Sequence, residues 1–180
     1  MSIGLRRQRH LRFRRNTMKQ QGQPCYRVSL LRRRFDISAL LSEHLYPVQQ
    51  LHKQVQTALN RGVKRGIAYS LPQPELFMLL RYERAAKLYE EYKRNIGTLR
   101  ADRIIIPAFP STKGHIIHFF CASTSDKHCH TYTHYRVALA RHKGELRLLC
   151  SCPDFSNRRI TCKHIYLALL YLRDRAVVEK

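Results

Sequence analysis

Apolar residues in the middle of the chain recur at helical spacing. Ile37, Leu40, Leu41 and Leu45 fall three or four apart behind Asp36, which predicts a helix with Asp36 as its N-cap. Pro47 breaks or kinks that run and also suits the first turn of a second helix. There Val48, Leu51, Val55, Ala58 and Leu59 form a stripe, and Asn60-Arg61-Gly62 is a stop signal. Residues 61–74 hold two glycines and two prolines and predict a connector. A third helix is expected from Glu75 to about Asn95, closed by Gly97. It carries Leu76, Leu79, Leu80, Tyr82, Ala86, Leu88, Tyr89 and Tyr92 at helical spacing. Its tyrosines admit two roles, core packing or stacking on bases.

Past residue 101 the period changes to two. Arg103 to Ala108 and His115 to Ala122 are β-rich runs around a turn at Pro110 to Gly114. Thr133 to Arg141 alternates, with Tyr135, Val137 and Leu139 on one face. His142-Lys143-Gly144 turns that strand into Glu145 to Cys150, a hairpin. Cys121, flanked by Phe119, Phe120 and Ala122, reads as a buried strand residue. Ile165 to Leu172 is a last apolar run of helix length. The predicted class is α+β, with a helical N-terminal half followed by a small antiparallel sheet. The expected division is a basic arm at 1–35, a helical segment at 36–101 and a third unit at 102–180.

Charge adds the arm to this picture. The 180 residues carry 34 Lys and Arg against 12 acidic residues, a formal net charge of +22. Eleven of those cations and no acidic residue lie in residues 1–35, where no hydrophobic period is sustained. The clusters are Arg6, Arg7 and Arg9; Arg12, Arg14 and Arg15; and Arg32, Arg33 and Arg34. Such a segment is expected to be disordered alone and to bind phosphate, since guanidinium forks take two oxygens at once. A nuclear localisation signal, a mitochondrial transit peptide and a solvated tail are the other readings. No stretch of 18 apolar residues exists, and no apolar segment follows the N-terminal arginines, so neither a spanning helix nor a secretory signal is expected. DNA or RNA is the expected partner, alone or within a nucleoprotein assembly, with no membrane role.

The candidate chemistry lies between the last hairpin and the last helix. The chain reads Cys150-Ser-Cys152-Pro-Asp-Phe, then Cys162-Lys-His164. Three thiolates and one imidazole are a ligand set for tetrahedral Zn²⁺. Cys150 and Cys152 can share one face off a strand end, and Pro153 holds Cys152 extended. Positions i and i+2 diverge inside a helix, so Cys162 and His164 must straddle a helix start, with Thr161 as N-cap. A disulfide or free buried thiols are the alternatives, and the first needs an oxidising compartment.

This pattern, CSCPDF followed by CKH and an apolar residue, resembles the SWIM zinc finger. The resemblance covers residues 102–175. It implies a ββα unit with one structural Zn²⁺ on Cys150, Cys152, Cys162 and His164, used to bind DNA or proteins. SWIM fingers occur in transposase-derived, transcription-related, recombination-related and ubiquitin-ligase proteins.

Two further constellations stand near it. Arg158, Arg159 and Lys163 either compensate the formal −1 of a three-thiolate zinc centre or contact phosphate. His128, Cys129 and His130, with Cys121 and His134 nearby, show no regular four-ligand spacing and admit two readings, an exposed polar loop or a second metal site. A four-ligand zinc has no open position, and neither a Gly-rich phosphate loop nor a nucleophile motif is present. The expected function is non-catalytic: an intracellular DNA-associated regulatory or recombination factor. A structural component of a ribosome-like particle or virion, or a non-catalytic transposase-derived fragment, are the alternatives.

Overall fold

The computed structural model describes residues 37–98, 101, 104–107, 116–122, 134–142 and 145–177. The arm, Asp36, the turn at 110–114 and the His128-Cys129-His130 patch lie outside the described residues.

Helix α1 (Ile37–His44) buries Ile37, Leu40 and Leu41. Helix α2 (Tyr46–Asn60) follows after one residue, Leu45, and buries Val48 and Val55. The joint keeps helical bonding: Leu45 N–H donates to Leu41 O at 2.9 Å and Gln49 N–H to Leu45 O at 3.1 Å. Pro47 sits in the first turn of α2, where its missing N–H has no intrahelical partner to lose. Gly62 ends α2 at φ 83°, a conformation that needs a residue without Cβ.

The connector holds one element that the sequence pattern does not predict. Helix α3 (Arg65–Ala68) is a single turn that buries nothing. It is closed by Lys64 O, which accepts from Ile67 and Ala68. Tyr69 behind it donates its hydroxyl to Glu83 at 2.6 Å and so ties the connector to the next helix. That helix, α4 (Gln73–Arg94), starts two residues before the expected Glu75, because Pro74 is tolerated in a first turn. It buries Leu79, Tyr82, Ala85, Tyr89 and Tyr92 on one face, so these tyrosines are packing residues.

The sheet is a meander, β1-β2-β3-β4, antiparallel throughout. Its strands are β1 (Ile105–Pro107), β2 (Ile116–Ala122), β3 (His134–His142) and β4 (Glu145–Cys150). Register places Phe119 opposite Val137 and Val137 opposite Cys150. Ile105, Ile117, Phe119, Cys121, Val137 and Leu139 thereby fill one buried face. Cys121 is the buried strand residue its neighbours predict.

Against that face lies α6 (Lys163–Val177), after a short helix α5 (Pro153–Arg158). Residues 165–170 and Leu172 of α6 are all buried. A helix apolar on every side must be covered on every side. The sheet covers one flank of α6, and α1 and α4 cover the other. One continuous core therefore runs from Ile37 through Tyr89 and Phe119 to Leu172. Each large apolar side chain in it is worth roughly 1.5–3 kcal/mol. The fold is α+β in three layers, with α6 in the middle.

Candidate metal centre

Each ligand is set in place by ordinary backbone chemistry. Cys150 closes β4 facing inward, opposite Val137. Ser151 extends the ladder by one step: its N–H donates to Arg136 O at 3.0 Å, and its hydroxyl accepts from Arg136 N–H at 2.9 Å. That lock turns Ser151 outward and leaves Cys150 and Cys152 on one side. Cys152 is extended (φ −74°, ψ 150°), as the following proline requires, and forms the N-cap of α5. Its sulfur accepts from Phe155 N–H at 3.4 Å. The segment between the ligand pairs is thus mostly helix. Pro153 at its start, the thiol cap and Asp154 in its first turn explain why six residues suffice.

Helix α5 ends at Arg159, which adopts φ 55° without being glycine. Its N–H donates to Phe155 O at 2.8 Å. A left-handed non-glycine residue costs about 1–2 kcal/mol, partly offset by glycine's greater freedom when unfolded. Arg159→Gly is therefore expected to raise stability by up to about 1 kcal/mol. A denaturation midpoint that falls instead would show that the Arg159 side chain holds the fold.

Cys162 takes the N-cap position of α6, since its carbonyl accepts from Tyr166 N–H at 3.1 Å. The expected cap, Thr161, is displaced by one residue. Cys162 and His164 do straddle the helix start. The four ligand atoms lie within 4.8 Å of one another, and all four residues are buried. His164 Nδ1 is 3.8 Å from both Cys150 Sγ and Cys162 Sγ. Zinc bonds of about 2.0–2.3 Å in a tetrahedron put neighbouring ligands about 3.5–3.8 Å apart, so the cluster has the size of one Zn²⁺.

The electrostatics agree with that fit. Cys162 is held down to about 4, first by a hydrogen bond from Cys150 and further by His164 and the Ile165 N–H. Cys150 moves up because it donates to Cys162 and is buried. Burial also raises Cys152. Three thiolates so close together need a cation between them. Backbone N–H groups of Cys152, Phe155 and Ile165 are directed at the three sulfurs, which suits thiolate acceptors. With Nδ1 facing the sulfurs, His164 Nε2 is buried and has no partner among the described residues. The Tyr135 ring packs 5.0 Å from the imidazole. Cys121 supports the site from behind by donating to His164 O at 3.7 Å.

Sequence reasoning did not find the strongest polar contact at this site. Arg81 of α4 forms a fork on Asp154 of α5, Nε to Oδ2 at 2.7 Å and Nη2 to Oδ1 at 2.8 Å. The hydrogen bonds from Arg81 hold Asp154 below the usual carboxylate range. The two residues are 73 positions apart, and the only sequence signal is an arginine in the midst of a helix's buried positions. Among the predicted phosphate contacts, Arg158 and Arg159 are exposed and Lys163 is half-buried. Burial lowers the Lys163 amine, and repulsion from Arg84 adds to the effect.

A closed Cys₃His cluster between a hairpin and a helix defines a structural zinc finger. Residues 135–173 match the family model of the SWIM zinc finger, and this stretch of the chain is one. The match runs from β3 through α6 and includes all four ligands. No curated protein and no solved structure matches the chain. SWIM fingers are generally binding modules for nucleic acid or proteins. Among the described residues, no helix is long and apolar enough to cross a membrane.

Proposed function

We propose that this chain is a non-catalytic, zinc-stabilised module that binds nucleic acid inside the cell, as part of a DNA-associated regulatory or recombination factor. The observation that carries the reading is the charge, +22 on 180 residues, half of it in an arm without acidic residues. Counterions released from a polyanion favour such binding, largely without regard to sequence. In this reading the zinc fixes the hairpin against α6, and the finger presents Arg158, Arg159 and Lys163. The arm supplies the remaining phosphate contacts through its clusters from Arg6 to Arg34. Zinc thiolates suit a reducing compartment, the nucleus or a nucleoprotein particle.

Arm and finger are separable by their salt dependence. Deleting residues 1–35 is expected to flatten the plot of log affinity against log salt by roughly 0.9 for each phosphate that the arm neutralises. An unchanged slope, measured by fluorescence anisotropy on a DNA duplex and on a matched RNA, removes the arm from the interface. The acid-free arm also favours a second reading, a structural component of a large nucleoprotein assembly. Equal affinity for DNA and RNA together with nuclease-sensitive co-purification in a large particle selects that one.

A further inference from the structure

A cavity of about 410 Å³ opens between α4 and the zinc cluster. Arg81, Arg84, Arg158 and Lys163 line it, and Asp154 is the only acidic residue that does so among the described residues. Asp154 pairs with Arg81 at 2.7 Å and with Arg158 at 3.7 Å, and its one charge neutralises only one of the two. A zinc centre with three thiolates carries a formal −1 and offsets one of the three remaining cations. The lining of the cavity, metal included, then sums to a charge of +2 in one concave place. Compensation of the metal therefore does not account for all of them.

The cavity is also built, not merely decorated with surface cations. Arg81 is 6% exposed, and its Nη1 is buried without a hydrogen-bond partner among the described residues. A buried donor of this kind calls for an acceptor, which water or a bound anion can supply. The Phe77 ring lies 5.6 Å from the Arg81 guanidinium and 5.7 Å from that of Arg158, which holds Arg158 beside the opening.

We propose that this cavity seats one phosphate group of a nucleic-acid backbone, gripped by Arg84, Arg158 and Lys163 in front of the buried charge of Arg81. Guanidinium forks match phosphate oxygens in pairs, and a phosphodiester brings one negative charge against an excess of two. The apolar wall at Phe77 suits the sugar carbons on either side of the phosphate. The inference rests on the nucleic-acid reading above and narrows it. It gives the finger one defined contact, shared between α4 and the α5–α6 segment. It leaves Arg159, which does not line the cavity, to looser contacts.

The test uses the full zinc-loaded chain and two probes. Inorganic phosphate, at ten times its dissociation constant and against sodium chloride of equal ionic strength, is expected to raise the melting temperature by about 3–6 °C. Arg84→Ala combined with Arg158→Ala abolishes that shift, whereas Arg94→Ala, elsewhere on α4, retains it. The same double variant binds a DNA duplex about tenfold more weakly, with a salt slope reduced by about 1. A wild type that phosphate does not stabilise overturns the seat, even if salt-dependent duplex binding persists and the broader reading stands. Stabilisation by phosphate with unchanged duplex affinity in the double variant overturns the assignment to a nucleic-acid backbone. A wild type stabilised by phosphate that binds neither DNA nor RNA sinks that assignment together with the proposed function.

Discussion

Replacing Cys162 with Ser removes the zinc and unfolds the protein well beyond the finger. Cys162 is fully buried, caps α6 and accepts a backbone N–H on its sulfur. A serine hydroxyl is a hard, weakly acidic group and does not replace a thiolate on Zn²⁺. Metal binding energy at such sites is folding energy, on the order of 10–16 kcal/mol in zinc-finger peptides. Forfeiting most of it is comparable to the roughly 5–15 kcal/mol that typically holds a domain together. Because α6 lies between the sheet and the helices, the damage is expected to reach Leu40 and Tyr89 as well. Zinc content by mass spectrometry should fall from one per chain to none, and the cooperative melt should disappear. A chelator added to the wild type should reproduce both. Full zinc and a wild-type melt in Cys162→Ser would sink the four-ligand assignment.

The second large effect is expected at Asp154. Asp154→Ala leaves the Arg81 guanidinium buried without its hydrogen-bonded counter-charge. Breaking fully buried pairs costs about 3–5 kcal/mol; with Asp154 37% exposed, about 2–3 kcal/mol is expected here. Changing Arg81→Leu and Asp154→Leu together should cost less than Asp154→Ala alone, since no charge is then stranded. A double variant as unstable as the single one would mean that packing, not charge, is at stake.

The pH dependence follows from the direction of the shift. Asp154 is depressed in the folded state by the hydrogen bonds of Arg81. Its contribution is therefore complete above the unfolded value of 3.8 and is lost as pH falls through the lower folded value. The gap between wild type and Asp154→Ala should stay level between about pH 5 and 8 wherever zinc remains bound. Acid also reprotonates the metal ligands, so zinc content must be followed in parallel.

What was readable in the sequence follows from the range of each interaction. The four ligands were readable because each pair lies two residues apart and the flanking strand and helix limit where the side chains point. Helices with a sustained apolar period, α1, α2 and α4, were readable for the same local reason, as were the strand faces around Val137 and Phe119. Helices α3 and α5 were not, because six residues or fewer carry no period, and a thiol cap on Phe155 N–H leaves no compositional mark. The fork from Arg81 to Asp154 and the cavity wall at Arg84 depend on how α4 lies along α6. That is a tertiary fact, which spacing along the chain does not encode.

The central place of α6 also dictates an order of assembly. In the order of synthesis, α1, α2 and α4 precede the meander, and α6 follows all of them. Until α6 arrives, the helices and the inner face of the sheet have nothing to close upon, and His164 is not yet there to complete the metal site. Until then the nascent chain leaves leucines and tyrosines of α1, α4 and the sheet unburied, a state that invites chaperones. Zinc capture and core closure then fall together, when α6 arrives.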